Sequence, residues 1–111
     1  MNNKIVRGMR IFRQYFDLIK SGRKTVEVRV GYSSMRSIRV GCYIRFNDDP
    51  QCECLVTRVT NYSSFAEMMS REDPQKINPG ISAAQQLTDI RRIFSSEKEA
   101  LGVIAFELRK V

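Results

Sequence analysis

Apolar positions along the chain fall into short runs whose spacing switches between helical and alternating. Ile11-Phe12, Tyr15-Phe16 and Leu18-Ile19 recur at helical spacing and stop at Ser21-Gly22, which predicts a short amphipathic helix over residues 11–20. Val26, Val28 and Val30 then alternate with Thr25, Glu27 and Arg29, the period of a strand with one buried face. Gly31 and Tyr32-Ser33-Ser34 read as a loop. Ile38-Arg39-Val40 leads into a turn at Gly41, a strand Tyr43-Ile44-Arg45-Phe46 and a second turn at Asn47-Asp48-Asp49-Pro50. The β-rich run from Cys52 to Tyr62 is then the partner strand of a hairpin across that turn.

Ser64 followed by Glu67 has the spacing of a capping box, so a short helix carrying Phe65, Met68 and Met69 comes next. Arg71 to Gly80, with two prolines, reads as a loop. Ser82 and Gln85 repeat the capping signature, and Ala84, Leu87, Ile90, Arg91 and Phe94 trace one face of a helix reaching about Phe94. Gly102 to Leu108 is a strong closing strand. Five to six strands and about three short helices predict an α+β domain on a small, strongly bent sheet. A closed or nearly closed β-barrel would hide the edges that so few strands expose. The stretch 38–62 lacks crossover helices, which disfavours a doubly wound parallel fold.

With 111 residues the chain is expected to form one domain, 1–111, since two hydrophobic cores would need more. Apolar residues at 42% and charged residues at 28% fit a globular chain. No apolar run approaches the length needed to span a bilayer, so no membrane association is expected. Cys42, Cys52 and Cys54 are an odd set with a C-x-C spacing foreign to common zinc sites, and histidine is absent. No metal and no cofactor are therefore expected, and the thiols read as small buried hydrophobes in a reducing cytoplasm. Without histidine, any catalysis would run on Lys, Asp/Glu, Tyr, Ser/Thr or Cys.

The net charge of +7 is unevenly spread: residues 1–45 hold eleven Lys/Arg against two acids, residues 46–111 eight against ten. Thirteen of the nineteen cations are arginine, whose planar fork suits phosphate and base stacking. The expected partner is therefore single-stranded RNA or a nucleotide or nucleoside, with Arg23, Arg36, Arg39 and Arg45 tracking phosphate. A basic surface serving solubility alone has the same composition.

The chemistry concentrates between Ser21 and Arg29. With the valines in the core, Thr25, Glu27 and Arg29 share the other face of one strand and Lys24 sits at its mouth. A lysine beside a carboxylate can donate a proton or, desolvated, act as a base, while an arginine clamps an anion or a carbonyl. The same alternation also describes a solvent-facing ladder in which Glu27 pairs with Lys24 or Arg29. Asn47 and Asp48 are turn formers that could meet a ligand from a rim. Tyr62 and Ser64 precede a helix N-terminus, a place suited to phosphate, although capping is the other use of Ser64.

The segment Phe16-x-x-Ile19-x-Ser21-Gly22-Arg23-Lys24-Thr25-Val26-Glu27-Val28-Arg29 is followed by Ile38-x-x-Gly41, Ile44-x-Phe46-Asn47-Asp48 and Val59-x-x-Tyr62-x-Ser64-Phe65. Glu97-Lys98-Glu99-x-x-Gly102-Val103 closes the series. This order resembles the ASCH (activating-signal-cointegrator homology) domain, a branch of the PUA-like superfamily, over roughly residues 5–108. The resemblance implies a small PUA-like β-barrel flanked by helices, with a cleft beside the G-x-K-x-x-E-x-R strand. It implies an RNA- or nucleotide-binding protein; some small members instead hydrolyse modified cytidines or cleave RNA, and a protein partner is implied by cointegrator-linked members. Lys24 matches the lysine proposed as catalytic in the hydrolases, and Thr25, Glu27 and Arg29 match the rest of the motif. Were the chain a metal-independent amidohydrolase on N4-acylated cytidines, Lys24 and Glu27 would carry the reaction. The chain departs from those members in having Glu27 where they have threonine, and in lacking a carboxylate in the loop Asn78-Pro79-Gly80-Ile81. Cys42 likewise stands where an aspartate is common.

Overall fold

A computed structural model describes residues 4–111. The chain opens with strand β1 (Val6–Met9) and helix α1 (Arg13–Lys20), whose Phe16 and Ile19 are buried as the apolar spacing requires. Gly22, at φ +80°, lets the chain reverse after α1 without the Cβ clash of another residue. Strand β2 (Val26–Val30) follows and then helix α2 (Ser33–Arg36). Strands β3 (Tyr43–Phe46) and β4 (Glu53–Tyr62) form the expected antiparallel hairpin. Its turn has Asn47 and Asp48 at φ 53° and 57°, a left-handed pair that these two residues tolerate better than most.

Three more helices, α3 (Phe65–Arg71), α4 (Pro74–Ile77) and α5 (Ala83–Ile93), precede a short α6 (Ser96–Glu99) and the closing strand β5 (Val103–Lys110). Ser64 and Ser82 cap α3 and α5 by accepting from the N–H groups of Glu67 and Gln85. The Glu67 carboxylate accepts from the Ser63 hydroxyl.

The five strands form one mixed sheet in the order β1-β3-β4-β5-β2, with β1 parallel to β3 and the other pairs antiparallel. The sheet is open, in place of the expected barrel: it ends at β1 on one side and β2 on the other. Helices cover both of its faces, and α4 and the Lys24 side chain cover part of the β2 edge that closure would otherwise hide. Along β5, Ile104, Phe106 and Leu108 pack with Phe16, Ile19, Ile44 and Phe46, while Val103 and Ala105 pack on the other face with Val26, Val30, Phe65 and Met68.

Six helices replace the expected three. Residues 71–80 contain α4, started by Pro74 at a position that needs no N–H and by Asp73 accepting from Gln75 N. The loop after Gly31 contains α2. Strand β1 has no counterpart in the sequence reading. On α5 the inward face is Ala83, Leu87, Ile90 and Phe94, joined by buried Gln86, whereas Ala84 and Arg91 are exposed. Cys42, Cys52 and Cys54 are free thiols within one core, and burial pushes the Cys54 thiol up to about 12.

Candidate functional site

Strand β2 is an edge, and its register fixes which of its groups face outward. Leu108 N donates to Thr25 O and Gly31 N to Gly102 O, so the odd-numbered residues of this stretch exchange bonds with β5. The N–H and C=O groups of Val26, Val28 and Val30 therefore point away from the sheet. Off that open edge lies an open cavity of about 470 Å³, bordered by the segment Arg10–Phe12 and Tyr15 on one side and by α5 on the other. Met68, Met69 and Ile77 supply apolar wall, and Phe12 and Ile93, 66% and 57% exposed, flank it.

Lys24, Glu27 and Arg29 converge on this cavity. The charged triplet is not a wetted ladder: Lys24 is 4% and Glu27 6% exposed. Lys24 Nζ donates to Val26 O at 2.7 Å and to Ile77 O at 2.8 Å, and lies 3.2 Å from Glu27 Oε1. Three acceptors thus take the three protons of the ammonium. Arg29 Nε donates to Glu27 Oε2 at 2.8 Å, and Arg29 Nη2 lies 2.7 Å from the same oxygen. That Nη2 also donates to Arg10 O at 2.8 Å, which ties the cavity wall to its floor. Burial on its own would raise the Glu27 carboxyl. The Lys24 and Arg29 charges, with their hydrogen bonds, outweigh that and hold it below the usual carboxylate range.

Asn47 shapes the cavity from a distance. Its Oδ1 accepts from Ile11 N at 2.8 Å and its Nδ2 donates to Ile11 O at 3.0 Å, so the hairpin turn grips the wall segment as a strand would. Asp48 pairs with Arg10 at 3.1 Å on the open surface. Neither turn residue lines the cavity, and Thr25 does not either; its backbone N–H donates to Lys76 O at 2.9 Å, anchoring α4 to β2.

The remaining expected ligand contacts lie elsewhere. Tyr62 donates its hydroxyl to Glu72 Oε2, and Arg58 grips both Glu72 oxygens at 2.8 Å, a network in which Tyr62 and Glu72 are buried and Arg58 half-buried. The Arg58 hydrogen bond, against the effect of burial, holds the Glu72 carboxyl below its ordinary range. Ser64 is a cap. The four expected phosphate-tracking arginines do not form one track. Arg36 donates to Gly31 O and Leu101 O, Arg45 is paired with Glu53, and Arg23 and Arg39 are exposed at separate turns.

Several cavity residues escape the sequence reading, among them Tyr15, Asn78, Gln86 and Asp89. Gln86 carried a signal, a polar residue three after Ala83 and four before Ile90 on an otherwise apolar helical face. The others lie on elements whose approach to β2 is set by tertiary packing. Among the described residues, no group of three or more His, Cys, Asp or Glu could hold a metal ion, and no helix is long and apolar enough to cross a membrane.

The structure is similar to that of hypothetical protein PH0355, with 29% identity and a TM-score of 0.89 over 96% of this chain and 100% of that one. It is also similar to protein PF0455 from Pyrococcus furiosus, at 28% identity and a TM-score of 0.79 over 96% and 98% of the two chains. An ASCH protein from Zymomonas mobilis shares the fold at 19% identity and a TM-score of 0.63, over 96% of this chain and 68% of its own. No curated protein matches the chain. The sequence profile of the ASCH domain matches residues 9–111, the stretch that contains every residue of the cavity, and the chain belongs to the ASCH domain family.

Proposed function

We propose that the chain binds RNA or a nucleotide, with the base entering the cavity off the open edge of β2 and the phosphate lying toward Arg10 and Arg29. The observation that carries this reading is the ion-paired Lys24–Glu27–Arg29 triplet, with Lys24 and Glu27 buried, on the wall of a cavity of about 470 Å³, a volume typical of small-molecule sites. A flat, partly apolar ligand suits the Tyr15 and Phe12 rings, and Nη1 of Arg29 has no protein partner among the described residues. The overall charge of +7 supports attraction of a polyanion. In this reading the Lys24–Glu27 pair is an organised floor. The ammonium has neither a spare proton nor a lone pair to offer, which suits binding better than nucleophilic attack.

Titrating a labelled short single-stranded RNA at low and physiological salt tests the proposal. Affinity is expected to fall as salt rises, and Arg29→Ala is expected to weaken binding about tenfold. Absence of binding at both salt concentrations contradicts it. The amidohydrolase reading keeps one supporting observation, an ionised Glu27 in contact with Lys24 on the cavity wall. Incubation with an N4-acylated cytidine separates the two, because binding without turnover is expected here and turnover abolished by Lys24→Ala would favour the enzyme.

A further inference from the structure

The cavity touches three consecutive residues of β2, Glu27, Val28 and Arg29. Consecutive strand residues point to opposite faces of a sheet, so a hollow that meets all three lies across the edge of the sheet and not over one face. Its walls agree. Ile11 packs with the core on one side of the sheet, and Met68, Met69 and Ile90 pack with the core on the other. Between those walls runs the outward backbone of β2, the last strand of the sheet, whose one neighbour is β5.

A single residue of that edge is open to a ligand. Val26 O accepts from Lys24 Nζ and Val30 O from Tyr32 N; both residues are 1% exposed and neither lines the cavity. Val28 is half-buried and lines the cavity, and its N–H and C=O have no protein partner among the described residues. An extended residue presents these two groups side by side in the plane of the sheet, a donor next to an acceptor. An added peptide strand needs such a pair at every second residue, and the occupied carbonyls of Val26 and Val30 leave it one. A planar ring needs only one. On the base-pairing edge of a nucleobase, a ring nitrogen and its exocyclic neighbour are acceptor beside donor in cytosine and adenine, and donor beside acceptor in uracil and guanine. A ring held this way continues the plane of the sheet, with a cavity wall against each of its faces.

Resting on the nucleotide-binding reading above, we propose that the main-chain N–H and C=O of Val28 are the base-reading contact of the cavity, hydrogen-bonding the base-pairing edge of one unpaired nucleobase. The cavity then takes a base whose edge is free and rejects one whose edge is methylated or already engaged in a base pair. The four ordinary bases all carry a matching edge, so the contact selects for an accessible edge and not for one base.

Calorimetric titration of the wild-type protein with uridine, 3-methyluridine and 5-methyluridine 5′-monophosphates tests this. The two methylated nucleotides are isomers: one methyl replaces the ring N–H that would donate to Val28 O, and the other sits on a carbon away from that edge. The 3-methyl isomer is expected to bind about tenfold more weakly than the 5-methyl isomer, or worse. The Val28 amide proton, followed by NMR, is expected to move downfield with uridine 5′-monophosphate and not with the 3-methyl isomer. Val28→Pro removes the N–H at an edge position where the sheet does not use it, and is expected to bind uridine 5′-monophosphate about tenfold more weakly than Val28→Ala, which keeps it. Should the proline variant fail to fold, the wild-type comparisons decide. Equal binding of the two isomers, or a Val28 amide that uridine 5′-monophosphate leaves unmoved, overturns the proposal and leaves nucleotide binding standing. Failure of all three nucleotides to bind overturns it together with the reading on which it rests.

Discussion

Glu27 sits where a lone carboxylate could not remain charged, and the cations on either side of it decide both its ionisation and its use. Taking away one partner of a buried pair leaves the other charge uncompensated, so Glu27→Gln is expected to cost about 3 kcal/mol in urea denaturation at neutral pH. The sign of the pH dependence follows from the lowered folded pKa. Its contribution is present above the ordinary carboxylate range and is lost as pH falls through the folded value, so wild-type stability should drop below about pH 4.5. The Gln variant should show a shallower acid slope. It will not be flat, because Glu53 and Glu72 are also held low by their partners. The three thiols give a separate check: buried, with Cys52 and Cys54 pushed up by desolvation, they are expected to resist a thiol reagent until the protein unfolds. At this scale the sequence was informative where chemistry and period coincide. The alternation through Thr25, Glu27 and Arg29 put Glu27 and Arg29 on one face, whereas Thr25 turned out to anchor α4, a contact made across 51 residues that no local pattern encodes.

The β3–β4 hairpin does more than add strands, because its turn holds the wall of the cavity through Asn47. Asn47→Ala removes both bonds to Ile11, and is expected to lower stability by about 2 kcal/mol and to weaken nucleotide binding by loosening Arg10–Phe12. The turn itself was legible from Asn47-Asp48-Asp49-Pro50; its grip on Ile11 was not, since it spans 36 residues. A second device joins α2 to β5. Arg36 reaches beneath Gly31 and Gly102 to the carbonyls of Gly31 and Leu101, and a Cβ at Gly31 would lie 2.5 Å from Arg36 Nη2 and 2.7 Å from Leu101 O. Gly31→Ala is therefore expected to lower the melting temperature by several degrees, since the backbone carbonyl cannot move aside as a side chain can. The Arg36 fork is thereby engaged by backbone carbonyls within the protein. Strand β1 went unseen in the sequence because four residues, Val6-Arg7-Gly8-Met9, alternate too briefly to signal a strand. Their pairing with β3 is parallel and long-range.

On the scale of the whole molecule, the open sheet is the feature on which the proposed binding depends. A barrel closed through β2 would occupy the outward N–H and C=O groups of Val26, Val28 and Val30 and leave no cavity beside them. The expectation of a barrel came from the need to hide strand edges. Here α4 and the Lys24 side chain cover part of the β2 edge, and the cavity opens beside Val28. The basic N-terminal half is distributed over the molecule and many of its cations are paired internally, so in the proposed reading base recognition falls to the cavity and the remaining charge supplies a salt-dependent attraction. The most direct measurement is an amide NMR titration of the wild-type protein with cytidine 5′-monophosphate. Shifts confined to Tyr15, Val28, Arg29 and the cavity side of α5 are the predicted result. Shifts clustered around Arg36, Arg39 and Arg45 with the β2 edge unmoved would contradict it.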